Sequence, residues 1–169
     1  NDSHVFVLKE GMPFDTSPLP PGYEFLGGSK SPFLDQAVAQ SITIHPAHPI
    51  AVLTGPNSSG KTVLMLNCCL NAWFALNGFY VSGSLTLSRF SNVYAFFGGK
   101  NLTSAGESYF LNILNQYSQL ISRVDANSFV ILDELHGTDN FEAAAIQLAV
   151  LQALREKGAT VLFNTHIRD

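Results

Sequence analysis

The sequence predicts an α/β fold with a mainly parallel sheet that is flanked by helices. After residue 50, apolar runs that suit buried strands alternate with segments whose apolar residues recur at helical spacing. A glycine-rich turn joins the first of these strands to the first helix, and a later strand runs directly into two acidic residues. Such alternation is typical of parallel strands connected by crossover helices, with helices on both faces.

Two regions are predicted: a turn-rich and β-rich N-terminal segment over 1–30, and a main domain over 31–169. Within the first region, residues 4–8 suit a strand, whereas prolines and glycines are expected to break the stretch over 12–28. Residues 37–44 end in an alternating pattern that predicts an edge strand.

The main domain is predicted to continue as strands and helices in alternation. Strands are expected at 50–54, 79–81, 92–97, 129–132 and 160–164, and helices at 62–76, 105–125 and 140–157. Gly158 lies where a glycine commonly ends a helix. The aromatic side chains of Trp73, Phe74 and Phe79 are expected in the core.

The composition favours an acidic, weakly charged chain that does not itself bind nucleic acid. Hydrophobic residues make up 46% and charged residues 13%, with a net charge of −4. The basic residues are scattered and form no stripe, which argues against direct contact with DNA by this part of the protein. The low charge predicts some apolar surface that meets a partner or a further part of the same protein.

The cysteines and the chain ends bear on location. Cys68 and Cys69 are adjacent in a predicted helix and cannot form a disulfide that crosslinks the fold, so a reduced, intracellular setting is expected. No zinc-like histidine spacing, signal peptide or membrane-spanning run is visible. Because the chain starts without Met and stops just after a predicted interior strand, we expect a fragment of a longer protein.

Residues 55–62 fit G-x-x-x-x-G-K-[ST], the Walker A or P-loop pattern of nucleotide triphosphatases. The turn directs backbone N–H groups into one concavity, and the following helix N-terminus favours an anion. Lys61 would reach the β- and γ-phosphates, and the Thr62 hydroxyl would ligate Mg²⁺. The alternative, an ordinary loop with a chance lysine, is weaker because a strand precedes and a helix follows. The predicted nucleotide contacts, which the family resemblance described below assigns to ATP, are Gly55, Pro56, Asn57, Ser58, Ser59, Gly60, Lys61 and Thr62.

Asp133 and Glu134 follow an apolar strand, so they are expected at the carboxyl edge of the sheet, where the loop also lies. Asp133 is then placed to hold Mg²⁺ through a water molecule, and Glu134 to take the proton from an attacking water. Without the loop, the favoured interpretation would be a strand that simply ends in two solvated acidic residues. The loop upstream makes the functional interpretation the stronger one.

Three further motifs have structural alternatives. Ser104 and Glu107 fit a capping box, which leaves Ser108 in the first turn of a helix, and spacing alone favours capping over anion binding. Asp139 also suits a helix cap. His166 follows the last strand and is either structural or a sensor of the γ-phosphate, with neither interpretation favoured.

Together these motifs resemble the ATPase domain of the MutS family, the DNA mismatch-repair protein and its divergent paralogues. The resemblance covers about residues 30–169 and its combined motifs are specific. The matching stretches, in the family's order, are Thr54-Gly55-Pro56-Asn57 before Gly60-Lys61-Thr62, Asn77 to Val81, Gly106-Glu107-Ser108-Tyr109-Phe110, Asp133-Glu134-Leu135 with Gly137-Thr138-Asp139, and Asn164-Thr165-His166.

The resemblance implies an ABC-type P-loop ATPase in which two domains pack together and share two nucleotides. Ser108 would then present its helix N-terminus to the γ-phosphate held by the opposite subunit, and Asp139 would lie at the subunit contact. Asn57 would line the same pocket, and His166 would touch the γ-phosphate or the attacking water. The adenine pocket would come from the segment near Val38.

The sequence departs from the family pattern in several places. Ala37 and Val38 stand where an aromatic residue is common, Tyr109 replaces the usual threonine, and Ser82-Gly83 replaces Pro-Ala. The stretch between Glu134 and Gly137 is one residue shorter than usual. These differences indicate a divergent paralogue, and the Gly-Thr-Asp version is similar to paralogues that lack a mismatch-reading domain.

The resulting hypothesis is a homodimeric, Mg²⁺-dependent ATPase domain, slow in isolation, that drives conformational change in a DNA repair or recombination protein. Other domains of that protein would bind DNA, no membrane is involved, and the location would be cytoplasmic and DNA-associated. One alternative is another ABC-class DNA-maintenance ATPase, although the long coiled-coil insertion of that class is missing. The other is a nucleotide-gated scaffold that dimerises without hydrolysis.

Overall fold

A computed structural model describes residues 5–8, 24–29, 38–45, 47–56, 58–88, 90–97, 106–133 and 140–165. These residues form two four-stranded sheets and three helices. The elements are β1 (Val5–Leu8), β2 (Glu24–Ser29), β3 (Gln40–Ile44), β4 (Ile50–Leu53), α1 (Lys61–Leu76), β5 (Ser84–Ser88), β6 (Asn92–Phe96), α2 (Gly106–Arg123), β7 (Ser128–Leu132), α3 (Asn140–Glu156) and β8 (Thr160–Asn164). No helix among them is long and apolar enough to cross a membrane.

One sheet is entirely parallel, with strand order β4-β8-β7-β6. This arrangement confirms the predicted α/β class. The last strand in sequence, β8, lies between β4, which leads into the glycine-rich loop, and β7, which ends just before Asp133. The two predicted site segments therefore flank a shared central strand.

Side chains of the central strands alternate between two apolar cores, one on each face of the parallel sheet. On β7, Phe129 and Ile131 belong to the core that contains α1 residues such as Met65. Val130 and Leu132 belong to the other core, to which α2 and α3 contribute Leu120, Leu154 and others. Helices therefore cover both faces, which is why β7 and β8 are buried along their whole length.

The second sheet is antiparallel, with strand order β1-β5-β2-β3. The predicted edge strand at 37–44 is confirmed as β3, which lies at the end of this sheet. Leu85 and Leu87 of β5 and Ile44 of β3 pack into the same core as α1. β1 and β2, which both lie before residue 30, thus share a sheet with later strands, and the proposed boundary at residue 30 stays a prediction.

Two local predictions are wrong. Residues 79–81 form no strand. The Phe79 N–H instead donates to the Phe74 carbonyl at 2.8 Å, and positive φ angles at Gly78 (76°) and Gly83 (88°) turn the chain before β5. Gly27 and Gly28 do not interrupt regular secondary structure either, because they lie inside β2, where the pairing with β3 is irregular.

The aromatic residues at the end of α1 are not all in the core, contrary to expectation. Trp73 is 49% exposed and Phe79 is 55% exposed. Their rings stack on each other with centroids 6.1 Å apart, and Phe74 packs edge-on against Phe79. The helix turn that begins the connection to β5 therefore carries these rings at the surface.

Candidate nucleotide-binding site

The loop between β4 and α1 turns through three residues with positive φ angles. Gly55, Ser58 and Gly60 have φ angles of 148°, 65° and 90°. A Cβ atom at Gly55 or Gly60 would meet its nearest neighbour at an ordinary contact distance of 3.6 Å. The requirement for glycine is thus conformational rather than steric. Asn57 lies outside the described residues.

The N-terminus of α1 is open towards this loop. Gly60 is the cap residue, no side chain caps the helix, and no acidic residue lies in its first turn. The first helical hydrogen bond runs from the Leu64 N–H to the Gly60 carbonyl at 2.9 Å. No side chain of the helix's own first turn therefore satisfies the preceding N–H groups or offsets the helix dipole, which favours an anion there.

The Lys61 ammonium lies over the loop. Its Nζ donates to the carbonyl oxygens of Gly55 and Pro56, both at 2.8 Å. An ammonium group has three donor hydrogens, so these two bonds fix its position and leave one hydrogen for a phosphate oxygen. The positive charge is thereby held at the mouth of the loop.

Asp133 lies at the same edge of the sheet as the loop, as the sequence predicted. The Thr62 hydroxyl donates to Asp133 Oδ2 at 3.3 Å, although the two residues are 71 positions apart. The Asp133 N–H donates to the Phe96 carbonyl at 2.8 Å, which extends the pairing of β6 with β7 and fixes the Asp133 backbone. Lys61, Thr62 and Asp133 are thus brought together.

These side chains fit a magnesium ion. A hydroxyl and a carboxylate oxygen are hard donors of the kind that Mg²⁺ prefers. Within the described part of the chain, no group of three or more His, Cys, Asp or Glu residues could hold a metal by itself. Mg²⁺ commonly takes only one or two protein ligands and completes its shell with substrate phosphates and water, so the pair suffices when a nucleotide is bound.

Asn164, the last residue of β8, is a site residue that the sequence analysis did not assign. Its side chain is 1% exposed, and its Nδ2 donates to Asp133 Oδ1 at 2.6 Å. Its Oδ1 is buried and has no hydrogen-bond partner in the structure described. The available signal was an asparagine at the end of an otherwise apolar buried strand that leads to the predicted ligand edge.

The segment before β4 also reaches the loop. A Cβ at Gly60 would lie 3.6 Å from Gln40 Nε2, so the Gln40 amide lies beside the loop, another contact that the sequence did not reveal. Val38, two residues earlier, is 81% exposed. A role for Val38 next to adenine stays a prediction.

Several predicted site residues remain untested. Glu134, Asp139 and His166 lie outside the described residues. Ser108 lies in the first turn of α2, but its side chain is not described. The catalytic and dimer-contact roles of these residues therefore stay predictions.

The two cysteine thiols of α1 are poor nucleophiles. Burial, with the neighbouring Cys69 as a smaller cause, raises the pKa of Cys68 to about 12. Burial also raises the pKa of Cys69. Both thiols therefore stay protonated near neutral pH, and α1 contributes no thiolate chemistry to the site.

The loop turns through positive φ angles between a parallel strand and a helix, and Lys61 and Thr62 at the start of that helix are faced by Asp133. This arrangement defines the class as a P-loop NTPase domain of α/β type. The family model described as MutS domain V matches residues 51–169. The chain therefore belongs to the MutS family, as its motifs indicated.

Curated relatives agree with this family. The chain is 33% identical over 152 residues to Endonuclease MutS2 of Halothermothrix orenii, which covers 88% of the chain and 19% of the relative. It is 32% identical over 150 residues to Endonuclease MutS2 of Listeria monocytogenes, and this match covers 86% of the chain and 19% of the relative. It is 31% identical over 138 residues to Endonuclease MutS2 of Thermus thermophilus, and this match covers 80% of the chain and 18% of the relative. The chain thus spans about a fifth of the length of these relatives.

Proposed function

We propose that this domain binds ATP with Mg²⁺, dimerises around it and hydrolyses it, and that the cycle changes the shape of a DNA repair or recombination protein. The observation that carries the proposal is the convergence of the Lys61 ammonium, the open N-terminus of α1 and the Thr62–Asp133 pair at one edge of the sheet. Family membership supports the same activity.

The loop and Lys61 would bind the triphosphate. The backbone N–H groups of the loop supply hydrogen bonds, and the Lys61 charge offsets that of the β- and γ-phosphates. Thr62 and Asp133 would hold Mg²⁺, which when bound neutralises charge on the phosphate oxygens. The segment near Val38 would contact adenine.

Hydrolysis would depend on residues that follow the strands. Glu134 would take a proton from the attacking water as its oxygen bonds to the γ-phosphorus and the bond to the bridging oxygen of ADP breaks. His166 would contact the γ-phosphate or that water. Ser108 and Asp139 of a second copy would complete the site, so an isolated domain would turn over slowly.

The first test is ATP binding by a Lys61→Ala variant, measured by titrating a fluorescent ATP analogue in the presence of Mg²⁺. Loss of a charge-assisted contact of about 1.5–3 kcal/mol should weaken binding about 10- to 100-fold. Lys157→Ala is the matched control, because Lys157 lies in the turn between α3 and β8, at the opposite edge of the sheet. Unchanged affinity in Lys61→Ala would refute the nucleotide site.

The rival function is a nucleotide-gated scaffold, which predicts ATP binding without turnover. ATP turnover at high protein concentration separates the two hypotheses, with Glu134→Gln as the hydrolysis-deficient comparison. The second rival, an ABC-class ATPase outside the MutS family, is disfavoured by the match over residues 51–169.

A further inference from the structure

We infer that Asn164 is a positioning residue for the proposed metal site: its amide orients the Asp133 carboxylate so that Oδ2 faces Thr62, with which it would hold Mg²⁺. This inference rests on the proposed nucleotide function and extends it to a residue that would act through Asp133. It assigns a reason for a buried asparagine at the end of an otherwise largely apolar central strand.

The strand order places Asn164 beside the site. β8 separates the strand that leads to the loop from the strand that ends before Asp133. Asn164 is in register with Leu53 of β4, and Phe163 is in register with Leu132 of β7. One position further along, Asn164 and Asp133 therefore stand side by side at the carboxyl end of the sheet. The Thr165 N–H extends the β8–β4 pairing by donating to the Leu53 carbonyl at 3.1 Å.

The two oxygens of Asp133 have different partners. Oδ1 accepts from Asn164 Nδ2 at 2.6 Å, and Oδ2 accepts from the Thr62 hydroxyl at 3.3 Å. The shorter bond comes from a side chain that is almost fully buried and therefore held by its surroundings. Asn164 thus fixes the rotation of the carboxylate and leaves Oδ2 on the side of the exposed Thr62. Such outer partners of metal ligands set ligand orientation.

The unpartnered oxygen of Asn164 is a second, independent observation. Burying an amide oxygen without a hydrogen bond costs free energy, and an apolar side chain at this position would avoid that cost. An apolar side chain, however, could not donate to Asp133 Oδ1. A carboxylate only accepts, so the amide must present its nitrogen, and its oxygen is left facing the interior.

The experiment compares the Mg²⁺ dependence of nucleotide binding in the parent protein and in Asn164→Ala. Binding of a fluorescent ATP analogue is titrated first in EDTA and then against increasing Mg²⁺. We expect metal-free binding within about twofold of the parent, and the Mg²⁺ concentration for half-maximal enhancement to rise about 10- to 100-fold, the usual effect of losing an outer partner of a metal ligand.

Ser128→Ala is the matched control. Ser128 is also fully buried and polar and lies at the other end of β7, where its hydroxyl donates to Asp125 Oδ1 at 2.7 Å. The Ser128→Ala variant should have lower thermal stability but an unchanged Mg²⁺ concentration for half-maximal enhancement. In an Asp133→Ala background, adding Asn164→Ala should not change Mg²⁺ enhancement further, because the group it positions is gone.

The outcomes are distinguishable. The positioning role is overturned if the Mg²⁺ concentration for half-maximal enhancement in Asn164→Ala lies within about twofold of the Ser128→Ala value. It is also overturned if Asn164→Ala loses as much binding affinity in EDTA as it loses in Mg²⁺. If the parent itself shows no Mg²⁺-enhanced binding, the proposed function falls and this inference falls with it. If Asn164→Ala does not fold, Asn164→Ser is measured instead, because its hydroxyl is too short to replace the bond, and the same criteria apply.

Discussion

Gly60 and Gly158 share a positive φ angle, 90° and 75°, yet only Gly60 lies in the phosphate loop. Alanine at either position should cost about 1–2 kcal/mol of folding free energy because a Cβ disfavours this backbone region. At Gly158 the added Cβ would also lie 3.3 Å from the Ala126 Cβ. We expect Gly60→Ala, but not Gly158→Ala, to weaken ATP binding, since only the first reshapes the loop. Urea unfolding and ATP titration measure the two effects, and equal ATP affinities would contradict the assignment.

The candidate site was only partly predictable at the scale of single residues. Lys61, Thr62 and Asp133 could be assigned because loop spacing and strand ends carry local patterns. The Asn164–Asp133 contact could not, because it joins residues 31 positions apart and depends on β8 lying between β4 and β7. The approach of Gln40 to Gly60 likewise depends on how β3 is placed, which no local pattern specifies.

At the scale of elements, predictability followed the strength of the local pattern. The predicted helix at 140–157 matches α3 to within one residue, and the predicted strand at 160–164 matches β8, since both have long apolar patterns and Gly158 between them. The strand predicted at 79–81 failed because a short aromatic run there closes the end of α1 instead. β5 was missed, since its pairing with β1 and β2 joins distant segments.

A buried amide pair ties α1 to the turn that follows it. Asn71 Nδ2 donates to Asn67 Oδ1 at 2.8 Å, and Asn71 Oδ1 accepts from the Ser82 N–H at 2.8 Å. Asn71→Ala would remove these contacts, and also the 2.8 Å bond from Asn71 Nδ2 to the Asn67 carbonyl, from a site that is 3% exposed. We expect a loss of about 1–3 kcal/mol in the free energy of unfolding, measured by urea denaturation.

Asn77→Ala is the control for that prediction. Asn77 also uses its Nδ2, which donates to the Trp73 carbonyl at 2.8 Å, but the residue is exposed. Water can replace its bond, so the loss should stay within about 0.5 kcal/mol. Equal losses for the two variants would show that the buried pair does not hold the turn.

At the scale of the whole molecule, the topology gathers the functional features at one edge. In a parallel sheet, the helix that follows each strand begins at the carboxyl edge, so α1, α2 and α3 all begin on the side of the phosphate loop. Leu111 in α2 is 59% exposed, and Phe141 in the first turn of α3 is 88% exposed. Exposed apolar side chains on these helices are consistent with the proposed nucleotide-dependent contact between two copies.

A mixing experiment tests whether two copies share their sites. In a two-fold dimer, Lys61→Ala inactivates the site of its own copy, whereas Ser108→Ala would inactivate the site of the partner. Each homodimer then has two defective sites, but the mixed dimer carries both defects in one site and leaves the other intact. ATP turnover of an equal mixture should recover to about a quarter of the parental rate, because about half of the dimers are mixed and half of their sites are intact. Lys157→Ala mixed with Lys61→Ala controls for dilution and should show no gain beyond the additive rate. If the two inactive variants stay inactive together at concentrations where the parent turns over, Ser108 does not act across a dimer interface.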